Sequence, residues 1–241
     1  MNIKSMLLGL VAVAAFGGTA QAANLVVNGG FETLTNGIGQ LNYNTVATGW
    51  STNGYNFVFG GATADSVGSS GQYGNLKLWG PANGFANGLG PSPDGGNFAA
   101  ADGAFGVSPI QQTLTGLTSG KKYAVKFYWA GAQQQGFTGP NDERWDVTLG
   151  NSPVQSTSTY FNTTGGFSGW RSASFVFTAA NATQVLSFLA VGHPEGVPPF
   201  SLIDGVSVAG VPEASSWIML IAGFGLVGAA ARRRRNIAVA A

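Results

Sequence analysis

"KKYAVKFYWAG", Lys121 to Gly131, sets Tyr123, Val125, Phe127 and Trp129 on one side of an extended chain and Ala124, Lys126 and Tyr128 on the other. A period of two is that of a β-strand with one face buried. Four further runs repeat it. "RWDVTLGN" aligns Trp145, Val147 and Leu149, and "ASFVFTAAN" aligns Phe175 and Phe177. "TQVLSFLAVG" groups Leu186, Phe188 and Ala190, and "SLIDGVSV" ends on Val206 and Val208. Gly, Asn and Ser punctuate these runs, and no stretch of 23–210 keeps a helical period. Short amphipathic strands at this spacing predict an all-β fold, an antiparallel β-sandwich.

Composition narrows the chemistry. Cysteine is absent, which excludes disulfides, Cys-ligated zinc and a thiol nucleophile. His193 is the single histidine; it lies in the turn-rich "AVGHPEGVPP", and no G-x-S-x-G elbow accompanies it. Residues 23–210 hold six bases against nine acids, so no basic patch is available for nucleic acid. "NDERWD" offers Asp142, Glu143 and Asp146 to a glycosidase, which needs paired carboxylates across one cleft. They read as solvated charges in a turn that enters a strand, so no catalytic residue is assigned and the chain is expected not to be an enzyme. Gly54 to Gly103 reads as a long glycine-dense stretch with few strand runs, functional or disordered, and its Tyr55, Tyr73, Trp79 and Phe85 argue against disorder.

Both ends are apolar. Residues 1–22 have the three parts of a signal peptide: Lys4, an apolar Met6 to Phe16, and an Ala20-Gln21-Ala22 cleavage site, so the mature chain is expected to begin at Ala23. Near the other end, "VPEASSWIMLIAGFGLVGAAARRRRN" holds an uncharged run from Trp217 to Ala231, then Arg232, Arg233, Arg234 and Arg235. As a helix that run reaches ~22 Å, or ~27 Å with Ala214 to Ser216, against a hydrocarbon core of ~30 Å. It is expected to be a transmembrane helix. The arginines place 236–241 in the cytoplasm and the body outside.

The order of Pro212, Glu213, Trp217, apolar run and arginine cluster resembles the PEP-CTERM sorting signal of Gram-negative bacteria, in its variant with a following Trp-Ala pair. Ala214 stands where that variant has a second Pro, and Ile218 where it has Ala. The resemblance implies recognition by an exosortase, a membrane transpeptidase that cuts near the Pro-Glu motif. The chain then divides into a signal peptide (1–22), a β-sandwich (23–210), a sorting signal (211–235) and a cytoplasmic tail (236–241). It is held briefly in the inner membrane and released to the cell surface or beyond.

"NLVVNGGFE" (Asn24 to Glu32), "IQQTLTGLTSGKKYAVKFYWA" and "LIDGVSV" (Leu202 to Val208) together resemble the galactose-binding-like jelly rolls common among carbohydrate-binding modules. That resemblance implies paired first and last strands and, in many members, a structural calcium. Asp204 shares parity with Val206 and Val208, so it is expected to point to the core side. A buried carboxylate needs a cation or several donors. Either calcium held by Asp204 and Glu32 or a set of backbone N–H groups would meet that need. Sugars are held by aromatic faces flanked by polar groups. Trp79, Tyr128 and Trp170 are the candidates, Trp170 because its parity is opposite to that of Phe175 and Phe177; Trp50 is expected in the core. The expected function is a non-catalytic exported protein that binds glycans of a biofilm matrix or envelope. A structural matrix protein with protein partners is the alternative, and a glycoside hydrolase the third reading.

Overall fold

The computed structural model describes residues 23–212, 221–229 and 232. Thirteen strands follow in chain order: β1 (Gly39–Gln40), β2 (Asn56–Gly60), β3 (Ser69–Gly71), β4 (Gly74–Leu76), β5 (Asn97–Asp102), β6 (Ile110–Leu114), β7 (Lys122–Gln133), β8 (Asn141–Leu149), β9 (Gln155–Ser156), β10 (Tyr160–Asn162), β11 (Arg171–Thr178), β12 (Gln184–His193) and β13 (Pro199–Gly210). They form a six-stranded sheet in the order β1-β2-β5-β13-β7-β11 and a five-stranded sheet that runs β10-β8-β12-β6 with β9 beside β8. All pairings between these strands are antiparallel. The architecture is the antiparallel jelly-roll sandwich.

The alternation read from the sequence defines the interior. Val125, Phe127 and Trp129 of β7, Trp145, Val147 and Leu149 of β8, Leu186, Phe188 and Ala190 of β12, and Val206 and Val208 of β13 join one apolar cluster between the sheets. Trp50 is buried there too, 5.0 Å from Phe31 and 6.2 Å from Phe188. The two ends of the sandwich touch, but not as paired strands, since Asn24 to Glu32 forms no strand: the Leu25 N–H donates to the Val208 carbonyl, and the Val206 N–H to that of Gly29.

Two expectations are corrected. The glycine-dense stretch supplies two central strands, β2 and β5, and Asn97–Asp102 is buried on both faces. A strand covered on both sides has no reason to alternate, so "NFAAAD" hides its character. The rest of the stretch, with its β3–β4 hairpin, lies over the outer face of the six-stranded sheet. There Ala64, Leu76 and Leu78 pack with Phe57, Phe59, Phe98, Phe200 and Leu202 in a second apolar cluster. "NDERWD" is no turn either. It belongs to β8, and Glu143 is fully buried.

Residues 221–229 are helical and exposed. No helix of the described residues is long and apolar enough to cross a membrane. The signal peptide (1–22), Glu213, Trp217, Arg233, Arg234, Arg235 and the tail (236–241) lie outside the described residues; Pro212 is exposed.

Candidate functional site

The site forms where β13 changes face. Its register with β7 slips between Asp204 and Ser207, so that three steps on β13 match two on β7. This is a β-bulge, and Gly205 supplies the left-handed backbone it needs, at φ 58°. The bulge reverses parity. Val206 and Val208 face the inter-sheet core, while Asp204 joins Phe200 and Leu202 on the outer face. The expectation that Asp204 shares a face with the two valines is therefore wrong, although its burial is complete.

Under the glycine-rich cover, the Ser92 hydroxyl donates to Asp204 Oδ2. The same hydroxyl accepts the Asp94 N–H at 3.1 Å. Asp204 Oδ1 is buried with no hydrogen-bond partner. Burial pushes the Asp204 carboxyl up to about 7, and the charges of Asp94 and Glu32 add to it; the Ser92 hydroxyl and the Gly205 N–H pull the other way. Glu32 Oε1 accepts the Asn97 N–H at 2.7 Å. A Cβ on Gly96 would stand 1.8 Å from that oxygen, so only glycine lets the carboxylate in.

Glu32 lies near enough to Asp204 for its charge to be felt there, and Asp94 is a third nearby carboxylate that sequence reading missed. A Cβ on Gly30 would stand 2.9 Å from Asp94 Oδ2, 3.7 Å from Asp204 Oδ1 and 3.8 Å from Glu32 Cγ. The glycine leaves a gap among three acidic side chains, one with an orphaned oxygen. Among the described residues, no group of three or more His, Cys, Asp or Glu side chains is placed so that it could hold a metal ion. The donor set is all hard oxygen, which suits calcium and no softer ion.

Beside this cluster runs an open trough of about 680 Å³, lined among others by Asn24, Asp94, Lys126, Tyr128, Ser172 and Ser174. Tyr128 is the register partner of Asp204 and lies half-buried along it. Trp79 and Trp170 are elsewhere and serve the cover. The Trp79 indole donates to the Phe137 carbonyl at 2.8 Å and sits 4.8 Å from Phe85. That of Trp170 donates to the Gly90 carbonyl at 3.0 Å and packs edge-on against Phe98. Of the three aromatic candidates, Tyr128 alone meets the trough. Lys126 carried a signal in the sequence, on the outward face beside Tyr128; Asp94 and Ser92 carried none, because only the folded cover brings them to β13.

The carboxylates of β8 have separate surroundings. Asp142 meets His193 Nδ1 at 3.1 Å, and Asp146 holds Arg144 at 2.9 Å. Glu143 points between the sheets with neither oxygen hydrogen-bonded.

Beyond the sandwich, Gly210 to Arg235 match the family described as the PEP-CTERM protein-sorting motif. The chain carries a PEP-CTERM sorting motif. The chain is similar to part of halomucin from Haloquadratum walsbyi, 28% identical over a 199-residue alignment that covers 79% of this chain and 2% of halomucin. The chain thus spans only a small fraction of that relative's length. Among solved structures, a cyclase from Fischerella sp. TAU, in complex with 4-(1H-indol-3-yl)butan-2-one, is similar over 79% of this chain and 98% of its own, at 16% identity and TM-score 0.50. TmCBM61, in complex with β-1,4-galactotriose, is similar over 79% of this chain and all of its own, at 15% identity and TM-score 0.44. At 16% identity the likeness to the cyclase is one of fold.

Proposed function

We propose that this PEP-CTERM protein is an exported, non-catalytic component of the cell surface or extracellular matrix that binds polysaccharide along the Tyr128 trough. In this reading a signal peptide directs export, the C-terminal segment anchors the chain in the inner membrane with its body outside, and an exosortase-type transpeptidase releases it. The observation that carries the binding reading is the trough itself. It is open, Tyr128 lines it, and its flanking groups both donate (Lys126, Ser172, Ser174) and accept (Asp94). A sugar chain needs that mixture, because its C–H faces stack on rings while its hydroxyls both donate and accept.

Calcium belongs to the same proposal. Glu32, Asp94 and Asp204 would hold it, with the orphaned Asp204 Oδ1 as its most buried ligand. When bound, calcium would neutralise the repulsion among the three carboxylates. The residues themselves then tie the N-terminal segment, the glycine-rich cover and β13 together, and so fix the end of the trough.

A glycan array probed with the mature protein tests the binding reading. Retained signal on a defined polysaccharide, lost in Tyr128→Ala, supports it. A protein that binds no glycan yet stays in the matrix would be a structural component with protein partners.

A further inference from the structure

A second pocket of about 280 Å³ opens at the other end of β5, lined by Tyr55, Tyr73, Asp102, Phe105, Phe137 and Gln134 with Gly196 and Pro198. We propose that it binds a methylated ammonium group, caged by Tyr55, Tyr73 and Phe105 against the carboxylate of Asp102. It is distinct from the polysaccharide trough and does not rest on it.

The carboxylate is built in from β5. Asp102 closes that strand, and its Oδ1 accepts the N–H groups of Ala104 and Phe105 at 2.8 and 3.0 Å. The loop so folded back sets the Phe105 ring over the pocket, and the Tyr55 N–H holds it through the Gly106 carbonyl at 2.8 Å. Asp102 is 2% exposed, and its Oδ2 is buried without a hydrogen-bond partner. No Lys or Arg lines the pocket. A buried carboxylate with a free oxygen and no cation is costly, and it persists where something else supplies the charge. Burial pushes this group up to about 6, against the pull of its two N–H donors, so it is largely ionised at neutral pH.

The rings decide the kind of cation. Tyr55 and Phe105 stand 5.2 Å apart at 85°, Tyr55 and Tyr73 5.8 Å apart at 45°, and Tyr73 and Phe105 6.0 Å apart at 59°. Three rings in edge-on and tilted contact present surfaces in several directions, whereas a sugar ring wants one flat platform. Tyr73 is 71% exposed and Phe105 50%, so two large rings are held in water at one place instead of in the core. A primary ammonium is strongly hydrated and needs three directed acceptors, whereas this lining is mostly apolar, its polar side chains being Asp102, Gln134 and the hydroxyls of Tyr55 and Tyr73. A methylated ammonium needs few acceptors and several ring faces, which is what is present.

Choline chloride titrated into the mature protein, with sodium chloride as the control and tyrosine fluorescence as the readout, tests the assignment. Saturable binding is expected, with 3,3-dimethylbutan-1-ol, the neutral isostere of choline, roughly tenfold weaker or worse. Tyr73→Ala, at an exposed position, should fold normally and lose roughly tenfold in choline affinity. Asp102→Asn keeps the acceptor for Ala104 and Phe105 and removes the charge, so it should bind choline no better than the neutral alcohol. Equal binding of alcohol and choline, no saturation, or an unchanged Tyr73→Ala each overturns the proposal. So does displacement of choline by a neutral monosaccharide with Asp102→Asn unaffected.

Discussion

Asp204 and Tyr128 are direct partners on adjacent strands, and both side chains lie on the outer face of the six-stranded sheet. The bulge at Gly205 puts them there, since without it Asp204 would face the valines of the core. The ring of Tyr128 closes over that glycine: a Cβ on Gly205 would stand 3.0 Å from Tyr128 Cδ2 and 3.2 Å from Asp94 Cβ. One residue therefore fixes the position of the aromatic group, the buried carboxylate and the cover loop.

Gly205→Ala should test that geometry. At φ 58° any side chain is strained, and this one also meets the Tyr128 ring. A loss of roughly 1–3 kcal/mol is expected, read as a lower midpoint in urea with the slope unchanged. A variant as stable as the parent would show that the bulge tolerates an ordinary residue.

Calcium should raise the melting temperature of the mature protein and a chelator lower it. Binding to the folded state alone adds about 2.7 kcal/mol at a hundredfold excess over Kd. Asp94→Asn, at an exposed position, should fold and weaken the response; Asp204→Asn should abolish it. Melting indifferent to both calcium and chelator would assign Asp204 to Ser92 and the Gly205 N–H alone.

Glu143 should make stability fall as pH rises. Burial, with Asp142 adding to it, pushes its carboxyl from 4.5 up to about 9. Between those values the folded chain holds a proton that the unfolded chain has released, so its contribution is fully present below about pH 4.5 and is lost progressively toward about pH 9. Glu143→Gln should flatten this part of the pH–stability curve and gain most at the alkaline end. An identical slope in the variant would place the titration elsewhere.

Packing explains why that carboxylate tolerates only glycine opposite. A Cβ on Gly131 of β7 would stand 2.1 Å from Glu143 Oε1. Gly131→Ala should therefore cost about 1–3 kcal/mol, and Glu143→Ala in the same chain should recover part of the loss. Simple additivity in a double-mutant cycle would show that the two do not meet.

Mass spectrometry of the protein from its own host should find an N-terminus at Ala23 and a C-terminus near Val211 to Ala214. Deleting the sorting transpeptidase should leave the longer, membrane-held form. A chain of unchanged length and location in that strain would make the C-terminal segment a permanent anchor.

The strands of the inter-sheet core were legible because alternation is local. Tyr123 to Trp129, Trp145 to Leu149 and Leu186 to Ala190 each need one apolar face, and the period of two records it whatever the partner strand is. The PEP-CTERM motif was legible for a similar reason, since its parts lie within Gly210 to Arg235 and need no fold to be recognised. Tertiary structure decided what depends on a second strand or a distant loop. β2 and β5 are covered on both faces, and a strand so covered loses its alternation. Parity counted along β13 failed at Asp204, because a bulge is a mismatch with β7 and one inserted residue exchanges the faces. Glu143 reads as one more charge among Asp142, Arg144 and Asp146, and only the space left by Gly131 admits it to the interior. The same holds for Ser92, Asp94 and Asp102: glycine-rich loops carry no periodic pattern, so the contacts that give those side chains their chemistry exist only once the cover has folded onto the sheet.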